Sequence, residues 1–274
     1  MYRAWIVLIG WAGLVGLASA QNLPHDVKNW KLEYAISGGN YPIHRGMTLT
    51  SSGDLTVWNF DSRVSGHASS ELMTKIGDFL KTAKRARPFT PGPDQRYSTL
   101  TLTSPGVSAE LEASGSVTDL LFQTMDATMS KALLGSWWES EWKLCHPAAQ
   151  ITAEQMDPPI ERLEFSGDGS FSVTWRGGGA EAPGRPGERF VWVPDYSGRY
   201  TISPDHNGIH LSFVNGIRAP RDFEGDGNFV VDDQKLVLMR LWLGTNKAKV
   251  KPDICEITFK RLSEPVADAA GTRK

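Results

Sequence analysis

The sequence predicts an α+β domain followed by an all-β domain, joined near residue 133. Three observations carry this. Residues 30–133 read as three strands, a helix, two strands and a helix. Residues 135–261 read as strand upon strand, separated by glycine- and proline-rich turns. The composition, 40% hydrophobic and 22% charged with 10 tryptophans, 27 glycines and 16 prolines, belongs to a foldable chain built of short strands and turns. The 29 basic and 31 acidic side chains nearly cancel, which leaves no broad field to hold nucleic acid or an anionic membrane.

The N-terminus has the pattern of a secretory signal. Arg3 supplies a positive flank, residues 4–18 form an apolar run, and Ala18-Ser19-Ala20 places small residues where a signal peptidase inspects them. Fifteen helical residues span about 22 Å, short of a hydrocarbon core of roughly 30 Å. Residues 1–20 are therefore expected to be a signal peptide, with a retained anchor as the alternative. The chain from Gln21 would then carry no transmembrane segment and reside in a periplasm or outside the cell. Gln21 stands where a lipoprotein needs a cysteine, so no lipid anchor is expected.

The first domain, residues 21–132, opens with Trp30, Leu32, Tyr34 and Ile36 on one face and Lys31 and Glu33 on the other, a half-buried strand. Ser37-Gly38-Gly39-Asn40 breaks it. A second strand carries Met47 and Leu49, and a third, after Ser52-Gly53, carries Leu55 and Val57. A helix is expected from Ser69 or Ser70, because Leu72, Ile76, Phe79, Leu80 and Ala83 make one apolar stripe. Residues 84–96 are basic and hold three prolines, which makes them a loop. Strands at 97–103 and 107–112 flank a Ser104-Pro105-Gly106 turn, and a second helix from Ser116 carries Leu120, Leu121, Met125, Met129, Ala132 and Leu133.

This βββαββα order, with Ser37-Gly38-Gly39 after the first strand, Arg45 opening the next, Asp94 before the 97–103 strand and a closing leucine-rich helix, resembles the emfourin family of metalloprotease inhibitors over residues 30–131. The resemblance implies an inhibitory loop at Ser37, Gly38, Gly39 and Arg45. Between Gly39 and Arg45 the chain has Asn-Tyr-Pro-Ile-His, which departs from the family's aromatic and small residues there.

In the second domain, residues 133–262, Leu163 and Phe165 alternate with Arg162 and Glu164. After Gly167-Asp168-Gly169, Phe171, Val173 and Trp175 alternate with serine and threonine. Further strands are expected at 190–193, 198–203, 209–214, 236–243 and 254–261, and so many strands in this length imply a sandwich or a closed barrel. Residues 263–274 are polar and read as a flexible tail.

Gly135-Ser136-Trp137 opening the first strand, Arg261 ending the last, Asp195-Tyr196-x-Gly198-x-Tyr200 and Leu241-Trp242-Leu243-Gly244 resemble the lipocalin-like (calycin) barrels. The resemblance implies an all-β barrel with Arg261 lying across Trp137. Cys145 and Cys255 are a lone pair in an expected oxidising compartment, which favours a disulfide over two buried thiols. They fall near the ends of the first and last strands, neighbours in a closed sheet.

No constellation argues for catalysis. The six histidines are scattered, His206 and His210 sit in a turn segment without a nearby glutamate, and no Gly-x-Ser-x-Gly platform occurs. Asp222, Glu224, Asp226, Asn228 and Asp233 have the oxygen spacing of a calcium loop, but lack flanking helices; an acidic hairpin with an Asp-Gly turn explains the same residues and is the favoured reading. Trp138, Trp142, Trp175, Trp192, Tyr196, Tyr200, Phe213 and Trp242 would either line an apolar pocket in the barrel or fill it. The expectation is an exported binding protein, not an enzyme, with no cofactor apart from calcium if the loop is one. Its partner would be a small apolar ligand or an envelope or secreted protein. The alternatives are protease inhibition through the first domain, and an uncharacterised enzyme using the barrel pocket.

Overall fold

The computed structural model describes residues 29–38, 44–92, 94–113, 115–145, 160–176, 180–181, 189–190, 193–218, 220, 222–244 and 254–262. The expected signal peptide and the 263–274 tail lie outside them. The described chain is mostly β, with two helices.

Four strands form a meander: β1 (Lys31–Ser37), β2 (Arg45–Thr50), β3 (Asp54–Asn59) and β4 (Ser62–His67). After α1 (Ser70–Thr82), β5 (Tyr97–Ser104) returns beside β1 and pairs with β6 (Val107–Glu110), giving the antiparallel order β4-β3-β2-β1-β5-β6. The sheet makes this half of the chain more β-rich than the expected βββαββα. The extra strand is β4, which carries only one large apolar side chain, Val64, and so has no alternation to announce it.

Both helices follow from their sequences. Ser69 caps α1 by accepting the Leu72 N–H at 3.1 Å, a contact worth about 1 kcal/mol. Leu72 and Ile76 are buried, and Phe79, Leu80 and Ala83 pack against the core. In α2 (Gly115–Leu133), Val117, Leu121, Met125, Met129, Ala132 and Leu133 are buried. The larger of these stabilise by roughly 1.5–3 kcal/mol each.

The second half is a closed eight-stranded antiparallel barrel. Its strands are β7 (Gly135–Leu144), β8 (Ile160–Phe165), β9 (Ser170–Trp175), β12 (Tyr196–Ile202), β13 (Gly208–Gly216), β14 (Asp226–Val231), β15 (Lys235–Met239) and β16 (Ile254–Arg261). β10 (Ala180–Glu181) and β11 (Arg189–Phe190) form a separate two-stranded sheet, which takes Phe190 from the strand expected at 190–193; residues 191–192 lie outside the described residues. β16 closes on β7.

Two differences from the sequence reading matter. The acid-rich 222–233 segment contains a stave, β14, because Phe229 and Val231 alternate inward beneath the acidic surface residues. The strand expected at 236–243 ends at Met239, where Arg240 takes a φ of +60°; Trp242 then pairs separately with Glu224.

At one end of the barrel the short turns at 203–207 and 232–234 meet the N-terminal sheet and α2; this is the near end. The longer connections leave from the far end. Packed rings occupy the interior between them: Phe165 meets Tyr200 edge-on at 5.1 Å, and Phe171 lies 6.4 Å from Phe165, 6.2 Å from Tyr196 and 6.4 Å from Phe223. Gly198 permits this, since a Cβ there would come 2.5 Å from the Phe171 ring and 2.1 Å from the Ser212 carbonyl oxygen.

Candidate functional site: the far end of the barrel

A bulge in β7 sets the chemistry of the far end. Phe259 pairs with Glu139 and Thr258 with Glu141, so Ser140 is left out of register and the strand changes phase. Trp137 and Glu139 therefore face inward on one side of the bulge, and Trp142, opposite Ile257, faces inward on the other. An unbroken alternation from Trp137 would have kept Glu139 inside but turned Glu141 inward and Trp142 outward.

From Glu139 a circuit of contacts runs around the barrel. Its Oε2 accepts the Ile160 N–H at 2.6 Å, and Ile160 pairs with Trp175 across β8 and β9. Trp175 lies 5.9 Å from Tyr196, whose hydroxyl donates to the Leu243 carbonyl. Adjacent Trp242 meets Trp142 edge-on at 5.9 Å, three residues from Glu139. Asp195, wholly buried, accepts the Trp175 N–H at 2.8 Å on Oδ2 and has the Arg218 Nε 3.4 Å from Oδ1.

Several polar atoms in this circuit have no hydrogen-bond partner among the described residues. They are the indole N–H groups of Trp142, Trp175 and Trp242, the Oε1 of Glu139 and the Oδ1 of Asp195, which has only the Arg218 charge beside it, all shielded from solvent. Leaving such groups unpaired costs about 1–3 kcal/mol each, so their gathering in one place calls for a ligand or water. Burial pushes the Glu139 carboxyl from its ordinary 4.5 up to about 7, against the Ile160 N–H and the Arg176 charge, which hold it down. Burial and then the Asp195 charge push the Tyr196 phenol up, so it stays a neutral donor.

The aromatic residues expected to line one pocket divide. Trp142, Trp175, Tyr196 and Trp242 meet at the far end. Tyr200 is at the near end, its hydroxyl donating to the Ser166 carbonyl at 2.9 Å. Trp138 is outside the barrel under Lys260, 5.7 Å from its ring, and borders an external cleft of about 480 Å³. Phe213 pairs with Gly198 through its backbone, while Trp192 lies outside the described residues. Sequence reasoning missed Glu139, Asp195, Arg176 and Arg218; the one local signal was a glutamate set between tryptophans in Trp137-Trp138-Glu139-Ser140-Glu141-Trp142.

The near end is a weld between barrel and helix. The Arg261 guanidinium lies 4.0 Å over the Trp137 ring, as the Gly135-x-Trp137 reading expected. It also donates to the carbonyls of Leu134 at 2.8 Å, Ala132 at 2.6 Å and Asp233 at 2.9 Å. Trp137 Nε1 donates to Leu133 O at 3.0 Å. Carbonyls at the end of α2, orphaned by helix geometry, are thus satisfied by the first and last staves of the barrel. At the far end Cys145 and Cys255 form a disulfide between the same two staves, with Cα atoms 4.8 Å apart.

Arg45, expected in an inhibitory loop, is instead buried at the joint between sheet and barrel. It pairs with Asp126, donates to the Pro204 carbonyl at 3.3 Å and sits 4.8 Å over Phe122. His206 approaches the same Asp126 at 3.2 Å, and the Asn59 amide donates to the carbonyls of Asp205 and His206 at 2.8 Å each. Gly38 holds a φ of +88° with the Gln95 carbonyl 2.2 Å from where a Cβ would be, which accounts for glycine there; Ser37 ends β1, and Gly39 lies outside the described residues.

The calcium candidates do not converge. Asp226 takes the His210 imidazole at 2.6 Å, Asn228 donates to the Asn207 carbonyl, and Asp233 accepts the Ser65 N–H at 3.1 Å. Glu224 pairs its backbone with Trp242, and Asp222 takes a φ of +53° at the entrance to the segment. Among the described residues no three His, Cys, Asp or Glu side chains group to hold a metal ion.

The disulfide is compatible with an extracellular or periplasmic protein, and among the described residues no helix is long and apolar enough to cross a membrane. An eight-stranded antiparallel closed barrel is likewise compatible with a lipocalin-like module. No protein-family model, curated protein sequence or solved structure matches the chain.

Proposed function

We propose that this chain is an exported, non-catalytic binding protein that holds a small ligand at the far end of a lipocalin-like barrel. The observation that carries this reading is the set of buried, unpaired polar atoms on Trp142, Trp175, Trp242 and Glu139. They offer hydrogen bonds inside an aromatic wall, the usual makeup of a small-molecule site. The Arg261–Trp137 contact supports the lipocalin-like assignment, and the disulfide supports export. The emfourin-like inhibitor reading is left with the half-buried Ser37 and Gly38, since Arg45 is committed to Asp126.

Native mass spectrometry of the full chain from its exported fraction tests the binding reading. A discrete mass excess that disappears in the Trp142→Ala/Trp242→Ala variant is expected. A mass equal to the polypeptide alone, together with no thermal stabilisation by a small-molecule panel, would refute it and transfer the function to a protein partner.

A further inference from the structure

We propose that the occupant of the far end is a compact aromatic acid, gripped through its acidic head by the indole N–H groups, with Glu139 meeting it as the neutral acid. This rests on the binding reading above. Three observations select that class of molecule.

The first is the balance of unpaired groups. Three buried donors, the Nε1–H of Trp142, Trp175 and Trp242, stand against two buried acceptors, Glu139 Oε1 and Asp195 Oδ1, and the second already faces Arg218 Nε at 3.4 Å. A purely apolar molecule would leave the three indoles and Glu139 unpaired. An amine would serve the carboxylate and leave three indoles without acceptors. A molecule with an acceptor-rich head satisfies the indoles, and it satisfies Glu139 as well once that carboxyl carries a proton and donates.

The second is charge. Arg176 follows β9 and acts on Glu139, and Arg218 stands against Asp195 with its side chain 44% exposed. Both are cations at the far end. The groups set against Glu139 are the Ile160 N–H from β8, Phe259 from β16, Trp142 on its own strand and the Arg176 charge; Asp195 is engaged by Trp175 N–H and Arg218. An ionised Glu139 would repel an anionic head, so binding takes up a proton there.

The third is room. Phe165, Phe171, Phe229, Phe259 and Tyr196 are all fully buried in the barrel, with the Phe171 ring in contact with three others. Among the described residues these rings leave the barrel interior filled, which disfavours a long acyl chain. A flat body lying against Trp142, Trp242 and Trp175 needs no channel and gains ring contacts.

Because Glu139 titrates at about 7, proton-linked binding weakens about tenfold between about pH 6 and about pH 8. The test titrates the full chain at both pH values with two fluorescent probes. One is 8-anilinonaphthalene-1-sulfonate, an aromatic anion that does not titrate in this range; the other is uncharged N-phenyl-1-naphthylamine. Expected are one saturable site for the anion, about tenfold weaker at the higher pH, no pH effect in Glu139→Gln, and weaker binding in Trp242→Phe, which keeps a ring but loses the N–H. Dodecanoate should not displace the probe. Calorimetry of the unsubstituted protein in two buffers of different ionisation enthalpy should show proton uptake, whatever the variants' folding. Equal, pH-independent binding of the uncharged probe, or no proton uptake, overturns the acid assignment and leaves the binding reading standing. Binding of neither probe overturns both.

Discussion

Glu139 makes the stability of this protein depend on pH in a direction opposite to that of most carboxylates. Its folded-state value of about 7 lies above the ordinary 4.5, because burial disfavours the charged form more than the Ile160 N–H and Arg176 favour it. A raised value means that its contribution is fully present below about pH 4.5 and is lost as the pH rises through about 7. At 1.36 kcal/mol per pH unit, the loss amounts to about 3 kcal/mol. Glu139→Gln keeps an oxygen to accept the Ile160 N–H and removes the titration. Its amide brings a fixed packing and hydrogen-bond cost, the same at every pH. The quantity to measure is therefore the stability difference between the two proteins, from urea unfolding followed by tryptophan fluorescence with the disulfide intact. Wild type should lose about 3 kcal/mol relative to the variant between about pH 4.5 and about pH 8. Parallel curves would show that the carboxyl reaches solvent and would refute its burial.

Further outcomes follow from other contacts. Arg261→Ala should cost about 2–4 kcal/mol by leaving the Ala132, Leu134 and Asp233 carbonyls unpaired, and hydrogen exchange should quicken in the last turn of α2. Arg261→Lys should recover less than half, since an ammonium cannot fork to three carbonyls over an indole ring. Replacing both Cys145 and Cys255 by alanine should lower stability by about 4–5 kcal/mol, as the bond closes a loop with a sequence separation of 110; calorimetry checks it. Gly198→Ala should destabilise by about 3 kcal/mol, or abolish soluble expression, because its Cβ would overlap the Phe171 ring and the Ser212 carbonyl. Burial holds the His206 imidazole below its ordinary 6.5, with the Arg45 charge adding to this and Asp126 and Asp205 opposing it. Its contribution is thus present above 6.5 and lost as the pH falls through the depressed value, and His206→Gln should flatten that acid limb in the same unfolding assay.

What the chain disclosed in advance was local. A helix start at Ser69 or Ser70, the stripe from Leu72 to Ala83 and the alternation from Phe171 to Trp175 depend on neighbours within a few residues, and each appears in the structure. The Trp137–Arg261 contact was legible only because a resemblance assigned both ends. The site was harder, since its phase depends on a one-residue bulge at Ser140 set by pairing with β16. Without that bulge Glu141 reads as an inner residue and Trp142 as an outer ring, the reverse of what is found. β14 was hidden for a related reason: acidic residues on its outer side gave a stave the look of a metal loop. Arg45, Asn59, Asp126 and His206 come together only because the near-end turns of the barrel dock on β2, β3 and α2, and no short-range pattern encodes a contact across more than 80 residues.

The capping of α2 by Arg261 also sets an order of assembly. A chain leaving the ribosome presents α2 and its apolar stripe long before the last barrel strand exists. Until β16 is made, the helix end keeps its carbonyls in water and the first stave keeps an unpaired edge. The N-terminal half can therefore gather its core early, but its final turn is finished only by the residue that also shuts the barrel. Closure and completion of the upstream half are one event, reached only once β16 has been made.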